Sequence, residues 1–244
     1  MIRLEDCKSP FGIVTIFRRI LTGAVIYDQF GSSQSEADRN GVSLASYIHA
    51  IYDLILQARA QTVLMIGCGG GTLGTMLVRA GRKVTIVDVN PDAFILARRY
   101  FGLPEEVVCH VEDGQDFLAA GASRFDAIVL DAFHGDHIPS HLRSRAFFQL
   151  ARERLDPRGC LFANVHVQDD QDGAPGQMAE CALDVWPDVR LLDSPGWTNR
   201  NAIVMAGNVE QLKQPTLSVR PLGLADELSR ELDTMNFSSW KIVL

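Results

Sequence analysis

Cysteine is sparse in this chain of 244 residues, basic residues are outnumbered, and no long uncharged apolar run occurs. The 5 cysteines, Cys7, Cys68, Cys109, Cys160 and Cys181, are odd in number and form no CxxC pair. That argues against a disulfide framework and against a structural zinc site. Several lie in or at the ends of apolar strand-like runs, where cysteine behaves as a small hydrophobe. Lys and Arg total 23 against 30 Asp and Glu, a formal net charge of −7. A nucleic-acid-binding surface needs clustered Lys and Arg, so no nucleic-acid partner is expected. An acidic balance suits cationic partners such as polyamines, although many acidic proteins have no such partner. No apolar run is long enough to span a bilayer, so no membrane partner is expected. The amino terminus, MIRLEDCKSP, lacks the basic-then-apolar order of a secretory signal. The expected location is the cytoplasm.

What is present is a globular composition. Apolar residues make up 47% of the chain, enough for a full core and too many for global disorder. The length suits one α/β domain with a small appendage. Residues 1–35 read as a small β region. Within it "FGIVTIFRRI" and "AVIYDQF" are β-branched and aromatic runs around Leu21-Thr22-Gly23, which predicts a hairpin. Residues 36–244 read as the main domain. An amphipathic helix is predicted from about Ser43 to Arg59, since Leu44, Tyr47, Ile48, Ile51, Tyr52, Leu54 and Ile55 recur at helical spacing.

A strand–helix alternation then begins. "TVLMIG", "KVTIVDVN", "EVVCHVED", "FDAIVLDAF" and "CLFANVHV" are apolar runs fit for buried parallel strands. Between them lie helical segments, one closed by Gly81, one opening on Pro91 and closing on Gly102, and one stopped by Asp156-Pro157-Arg158-Gly159. "VRLLDS" and "NAIVMAG" read as a closing strand pair, and "GLADELSRELDTM" as a final helix. Repeated βα units imply a Rossmann-like, mostly parallel sheet with helices on both faces.

Chemistry is expected at the carboxyl ends of those strands. "IGCGGGTLG" ends the first strand and opens a helix, so Gly67, Gly69 and Gly71 allow main chain to approach a ligand closely. Asp88 ends the second strand about 20 residues on, where a carboxylate accepts ribose hydroxyls. Gly69, Gly71 and Gly74 also satisfy GxGxxG, so a dinucleotide is a rival ligand. Asp113-Gly114 at the end of the third strand favours an adenosyl group instead: the acid can take the adenine amino group and the next N–H can meet the ring. The same dipeptide is also a common turn. Asp126 starts the fourth strand and reads as a turn carboxylate. Asp131 ends it, placed to hold an amine and accept its proton; a cap or turn is the plainer reading. His134, His137 and His141 do not read as a metal site, because Pro139 breaks any helical i, i+4 pair. That stretch reads as a loop over the site. His49, His166, Tyr52 and Trp197 carry no assigned role.

In order and spacing, "VLMIGCGGGTLG", "VTIVDVNPDAFILARRYF", "VEDGQDFL", "FDAIVLDAFHGDHIPSHLRSRAFFQLARERLDPRG" and "NVHV" resemble bacterial spermidine-synthase-like proteins of the class I S-adenosylmethionine-dependent methyltransferase superfamily. "SPFGIVTIF…AVIYDQFGSSQS" resembles the same family's amino-terminal β region. The resemblance spans about residues 8–167. It implies a homodimer that moves an aminopropyl group from decarboxylated S-adenosylmethionine to a small amine, releasing methylthioadenosine. It also implies Asp131 as the acid that deprotonates the amine. Asp88 would be the ribose acid, Asp113 the adenine acid, and Gln34 a cofactor-side glutamine. Tyr47, His134 and Asp136 fall on or beside the family's substrate positions.

The departures are specific. Gly70 stands where the family carries an acid in its glycine loop. His134 replaces the second acid of its DxxD, with Asp136 two residues on. Tyr47-Ile48-His49 keeps the tyrosine of its YxE and loses the glutamate. Each missing carboxylate removes a charge-assisted contact worth roughly 1.5–3 kcal/mol to a cationic substrate. Two alternatives stay open: methyl transfer from S-adenosylmethionine, releasing S-adenosylhomocysteine, and a non-catalytic nucleoside-binding relative.

Overall fold

Two sheets share the chain in a computed structural model that describes residues 1–135 and 137–241. The smaller sheet is antiparallel, in the order β1-β2-β3-β4, with β1 Ile2–Ser9, β2 Gly12–Arg18, β3 Val25–Gln29 and β4 Ser32–Ala37. The expected hairpin is β2–β3, but a further strand flanks it on each side. Both flanking strands, IRLEDCKS and SSQSEA, are polar and half exposed. Main-chain pairing holds them, and apolar periodicity carries no trace of that. In β4, Ser33 pairs with Asp28 and Ser35 with Tyr27, so Gln34 is the extra residue of a bulge.

The larger sheet is Rossmann-like and mixed. Helix α1 (Ser46–Gln57) leads into β5 (Thr62–Ile66), α2 (Thr72–Arg79), β6 (Lys83–Asp88), α3 (Pro91–Leu96), β7 (Val108–Val111), α4 (Gly114–Ala120) and β8 (Phe125–Leu130). Then come α5 (Arg145–Arg154), β9 (Leu155–Val167), α6 (Ala174–Leu183), β10 (Asp188–Asp193), β11 (Arg200–Gly207), α7 (Ala225–Thr234) and β12 (Asn236–Lys241). Strand order is β12-β10-β11-β9-β8-β5-β6-β7. The pairs from β9 to β7 are parallel, and those from β9 through β11 and β10 to β12 are antiparallel.

Local chemistry explains the helix ends. Asn90 caps α3 by accepting from the Asp92 amide, with Pro91 in the first turn. A π-helical turn, Ala97–Phe101, extends α3 and closes on Gly102 at φ +70°. It delivers Phe101, 1% exposed, into the core of the small sheet beside Val14, Ile16 and Tyr27. Ser144 caps α5.

Two apolar layers clamp the large sheet. One face packs α1, α2 and α7 against Met65, Val129, Phe162 and Met205. The other packs α4, α5 and α6 against Leu64, Ile128, Leu161 and Val204. The alternation along β8 and β9 divides the two sets, as a pleated strand buried on both faces requires.

Three elements differ from expectation. Helix α5 ends at Arg154, just before Asp156-Pro157-Arg158-Gly159 as expected, but β9 already begins at Leu155, and its register against β8 jumps from Phe125↔Leu155 to Ala127↔Cys160. Helix α6 went unread because Gly176 lowers helix propensity, and Pro175 in its first turn, a helix-start cue like Pro91, was passed over. Strand β12, NFSSWK, is a polar edge strand with little apolar signal.

Candidate functional site

The order β7-β6-β5-β8-β9 sets five parallel strand tips side by side, and the predicted site residues lie along that edge. At the end of β5, Gly67 has φ +101°, and a Cβ added there would lie 2.2 Å from the Asp131 carbonyl oxygen. Only glycine lets the tips of β5 and β8 approach this closely. Gly69 follows, and Gly71 stands immediately before α2. The loop is also touched from the small sheet: the Gly70 amide donates to Ser35 Oγ at 3.0 Å. A Cβ at position 70 would meet Phe101 at 2.8 Å and Ser35 Cβ at 3.0 Å. The space an acid at position 70 would need is thus already filled by those two side chains. Ser35 was missed in the sequence, where it is one more polar residue beside Gln34.

Asp88, at the tip of β6, closes on the same loop. Its Oδ2 accepts from the Cys68 amide at 2.7 Å and its Oδ1 from the Asn90 amide at 2.8 Å. Burial pushes its carboxyl above the usual range, against these two amides. The Glu112 amide donates to the Asp88 carbonyl at 3.2 Å and ties the end of β7 to this corner.

Asp113 has a clear local job. It caps α4, its Oδ1 accepting from the amides of Gln115 at 2.8 Å and Asp116 at 3.2 Å. Its Oδ2 lies 2.8 Å from His141 Nε2, on a 3-10 turn at Ser140–Arg143. Burial would raise its carboxyl, but His141 and the two amides hold it below the usual range. Gly114 packs so tightly on β5 that a Cβ would meet Ile66 Cγ2 at 2.3 Å. Asp113→Ala should cost about 1 kcal/mol in urea unfolding, the usual value of an N-cap, and Asp113→Asn should cost far less. Equal losses in the two variants would contradict the capping role.

Asp131 follows the tip of β8 and is half-buried. Its Oδ1 accepts from Asn164 Nδ2 at 2.7 Å, and its Oδ2 accepts a long bond from Tyr47 Oη at 3.4 Å. Burial pushes its carboxyl up, and the two donors oppose this. Burial, then the adjacent Asp131, drives the Tyr47 phenol well above its ordinary value. Asn164, on β9, is 1% exposed, and its Oδ1 accepts from Asn201 Nδ2 on β11 at 3.0 Å. Asn164 and Asn201 were missed, although a polar residue inside the apolar run "LFANV" was a signal.

His49, at the position of the lost glutamate, is fully buried with Nε2 2.8 Å from the Ser43 carbonyl. It braces the turn before α1, and burial lowers its pKa. His134 is exposed, its ring edge-on to Phe30 at 5.4 Å, at the hairpin tip of the small sheet. Its backbone pairs with His137. Gln34 is half-buried beside Ser35. Asp136 lies outside the described residues. Asp126 ties β8 to β5 by accepting from the Gln61 and Thr62 amides, as a structural carboxylate does.

A strand-tip glycine loop followed by an acid on the next strand, in this sheet order, defines the class I methyltransferase fold. A family model described as a methyltransferase domain matches residues 63–159. The chain is 30% identical over 188 residues to a probable polyamine aminopropyl transferase of Bifidobacterium longum, covering 75% of this chain and 42% of that protein. It spans less than two thirds of the length of this relative and of the polyamine aminopropyltransferases of Vibrio vulnificus and Chromobacterium violaceum. A probable spermidine synthase from Corynebacterium glutamicum shares the fold at TM-score 0.77 and 19% identity, over 97% of this chain and 89% of that one. A spermidine synthase in complex with the transition state analogue AdoDATO does so at TM-score 0.70 and 16% identity, over 94% and 84%. The chain has the class I methyltransferase fold and is similar in sequence to polyamine aminopropyltransferases.

Proposed function

We propose that the chain is an aminopropyltransferase-like enzyme, joining the aminopropyl carbon of decarboxylated S-adenosylmethionine to a small amine. The observation that carries this reading is Asp131. It is a half-buried carboxylate with two donors, one strand from the glycine loop and against Gly67 of it.

The residues fit an adenosyl donor. The main chain at 67–71 forms a glycine floor whose one side chain, Cys68, is buried in the core, and Asp88 stands at its rim with lone pairs left for ribose hydroxyls. Asp113 and Gly114 lie where the adenine edge would reach. Gln34, beside Ser35 over the loop, is assigned to the donor side. Two neighbours in the fold bear on this, one complexed with AdoDATO and one with SAH. When bound, the sulfonium supplies a carbon already activated by its thioether leaving group.

Asp131 accepts a hydrogen from the incoming amine, orients its lone pair and takes its proton. The new N–C bond forms as the C–S bond breaks, and that electron pair leaves on the sulfur of methylthioadenosine. Tyr47 and Asn164 hold the carboxylate still during the transfer. With the leaving group preactivated, positioning is the main contribution required of the protein. His134 and Asp136 are assigned to the acceptor side.

Calorimetric titration with the decarboxylated and the carboxylated donor tests the assignment. Tighter binding of the decarboxylated donor, with turnover on some member of an amine panel, is expected. Clear preference for the carboxylated donor would replace aminopropyl transfer with methyl transfer. Methylthioadenosine binding without turnover across the panel would leave a nucleoside-binding protein.

A further inference from the structure

We propose that Asn201 is a positioning residue: it fixes which way the Asn164 amide points, and thereby keeps a donor on Asp131. The inference rests on the reading of Asp131 as the base.

An asparagine amide has a donor end and an acceptor end of nearly the same shape. Contacts on both sides decide its orientation. Asn164 is 1% exposed, so bulk water cannot satisfy a wrongly turned amide. Its Nδ2 is 2.7 Å from Asp131 Oδ1, and its Oδ1 is 3.0 Å from Asn201 Nδ2. Turned over, it would set a carbonyl oxygen against a carboxylate oxygen and one NH2 against another. Both ends oppose the flip. Without Asn201 only one end does, and the Asn164 carbonyl is left buried without a partner, a defect that costs stability and loosens the amide.

The fold holds Asn201 in place. It lies near the start of β11, opposite His166 in the ladder with β9. The next residue back, Arg200, is clamped to both oxygens of Asp193 at 2.7 and 2.8 Å and to Asp170 at 3.1 Å. Asp131, Asn164 and Asn201 thus form a line across three adjacent strands, ending on a fixed ion-paired corner. Among the described residues, the titratable groups on the elements that carry this line are Tyr47 from α1, His166 on β9 and the Arg200–Asp193–Asp170 cluster. Of these, Tyr47 contacts Asp131 through a hydrogen bond.

The 13C carboxyl signal of Asp131, assigned by its loss in Asp131→Asn, reads the effect without substrate. In the full chain carrying Asn201→Ala, its titration midpoint should move up by about one pH unit, the worth of one lost hydrogen bond. Asn201→Leu is neutral and similar in size but offers no donor to the Asn164 carbonyl. It should move the midpoint as far as the alanine variant, and turnover with the active amine of the panel should fall in kcat rather than in the donor's KM. A merely structural role predicts a shift in the alanine variant alone, with the space-filling leucine variant silent. Unmoved midpoints in folded variants would overturn the proposal, and if the alanine variant fails to fold, the leucine variant decides alone. Wild-type turnover in Asp131→Asn would instead overturn the parent reading and leave the midpoint result standing.

Discussion

Asp131→Asn is expected to lower turnover by about 10²–10⁴-fold, the usual contribution of a positioned general base. Binding of methylthioadenosine should stay nearly unchanged, because the nucleoside contacts proposed here lie on β5, β6 and β7. The fold should not suffer either. Burial raises the Asp131 carboxyl above its unfolded value, so the folded state prefers the protonated form. The stability it contributes is therefore present below the unfolded pKa and lost as pH rises through the folded one. At neutral pH the charge is a burden on the fold. An asparagine there still accepts from Asn164 and carries no charge. Thermal unfolding at pH 7 should show the variant at least as stable as the parent chain, with the difference shrinking toward pH 4. Full turnover in this variant would remove Asp131 from the mechanism. Marked destabilisation at pH 7 would contradict the electrostatic account.

Gly67→Ala should have the largest effect on stability. The backbone there, at φ +101°, is strained for any L side chain, at about 1–3 kcal/mol. The new Cβ would also lie 2.2 Å from the Asp131 carbonyl oxygen and 2.7 Å from its carbonyl carbon. Neither can yield without moving the tip of β8, which adds about 1–3 kcal/mol of overpacking. Together these predict a melting temperature lower by roughly 5–20 °C at this chain length. Gly81→Ala is the control: it also has positive φ, at +78°, but its Cβ would meet nothing within 4 Å. It should lose only the strain. Equal losses at the two positions would show that β5 and β8 are not pressed together at Gly67.

Legibility in the sequence followed burial. Strands β5, β6 and β8 are apolar on both faces, so their composition alone marked them. Asp88 and Asp131 were legible because each stands at or just beyond the tip of such a strand; Asp113 follows β7, expected as a buried strand but mostly exposed at the sheet edge, and was legible from β-branched composition and the turn alone. The flanking strands of the small sheet were not, because a half-exposed strand such as SSQSEA is specified by main-chain pairing. Asn164 and Asn201 were not legible as a pair, since β9 and β11 bring them together across 37 residues of chain. Ser35 and Gly70 meet across 35 residues for the same kind of reason. Reading the sequence found the carboxylates and Tyr47 and missed the asparagine pair beside Asp131. Asp113 shows the converse: its place in the sequence suggested a ligand contact, and its geometry shows a helix cap that a ligand contact must share.

A crystal structure with bound methylthioadenosine tests the central claim most directly. The account predicts the ribose hydroxyls on Asp88, the adenine edge against Asp113 and Gly114, and the thioether over Gly67 toward Asp131. A nucleoside bound elsewhere, or those strand tips closed over by packed side chains, would contradict it.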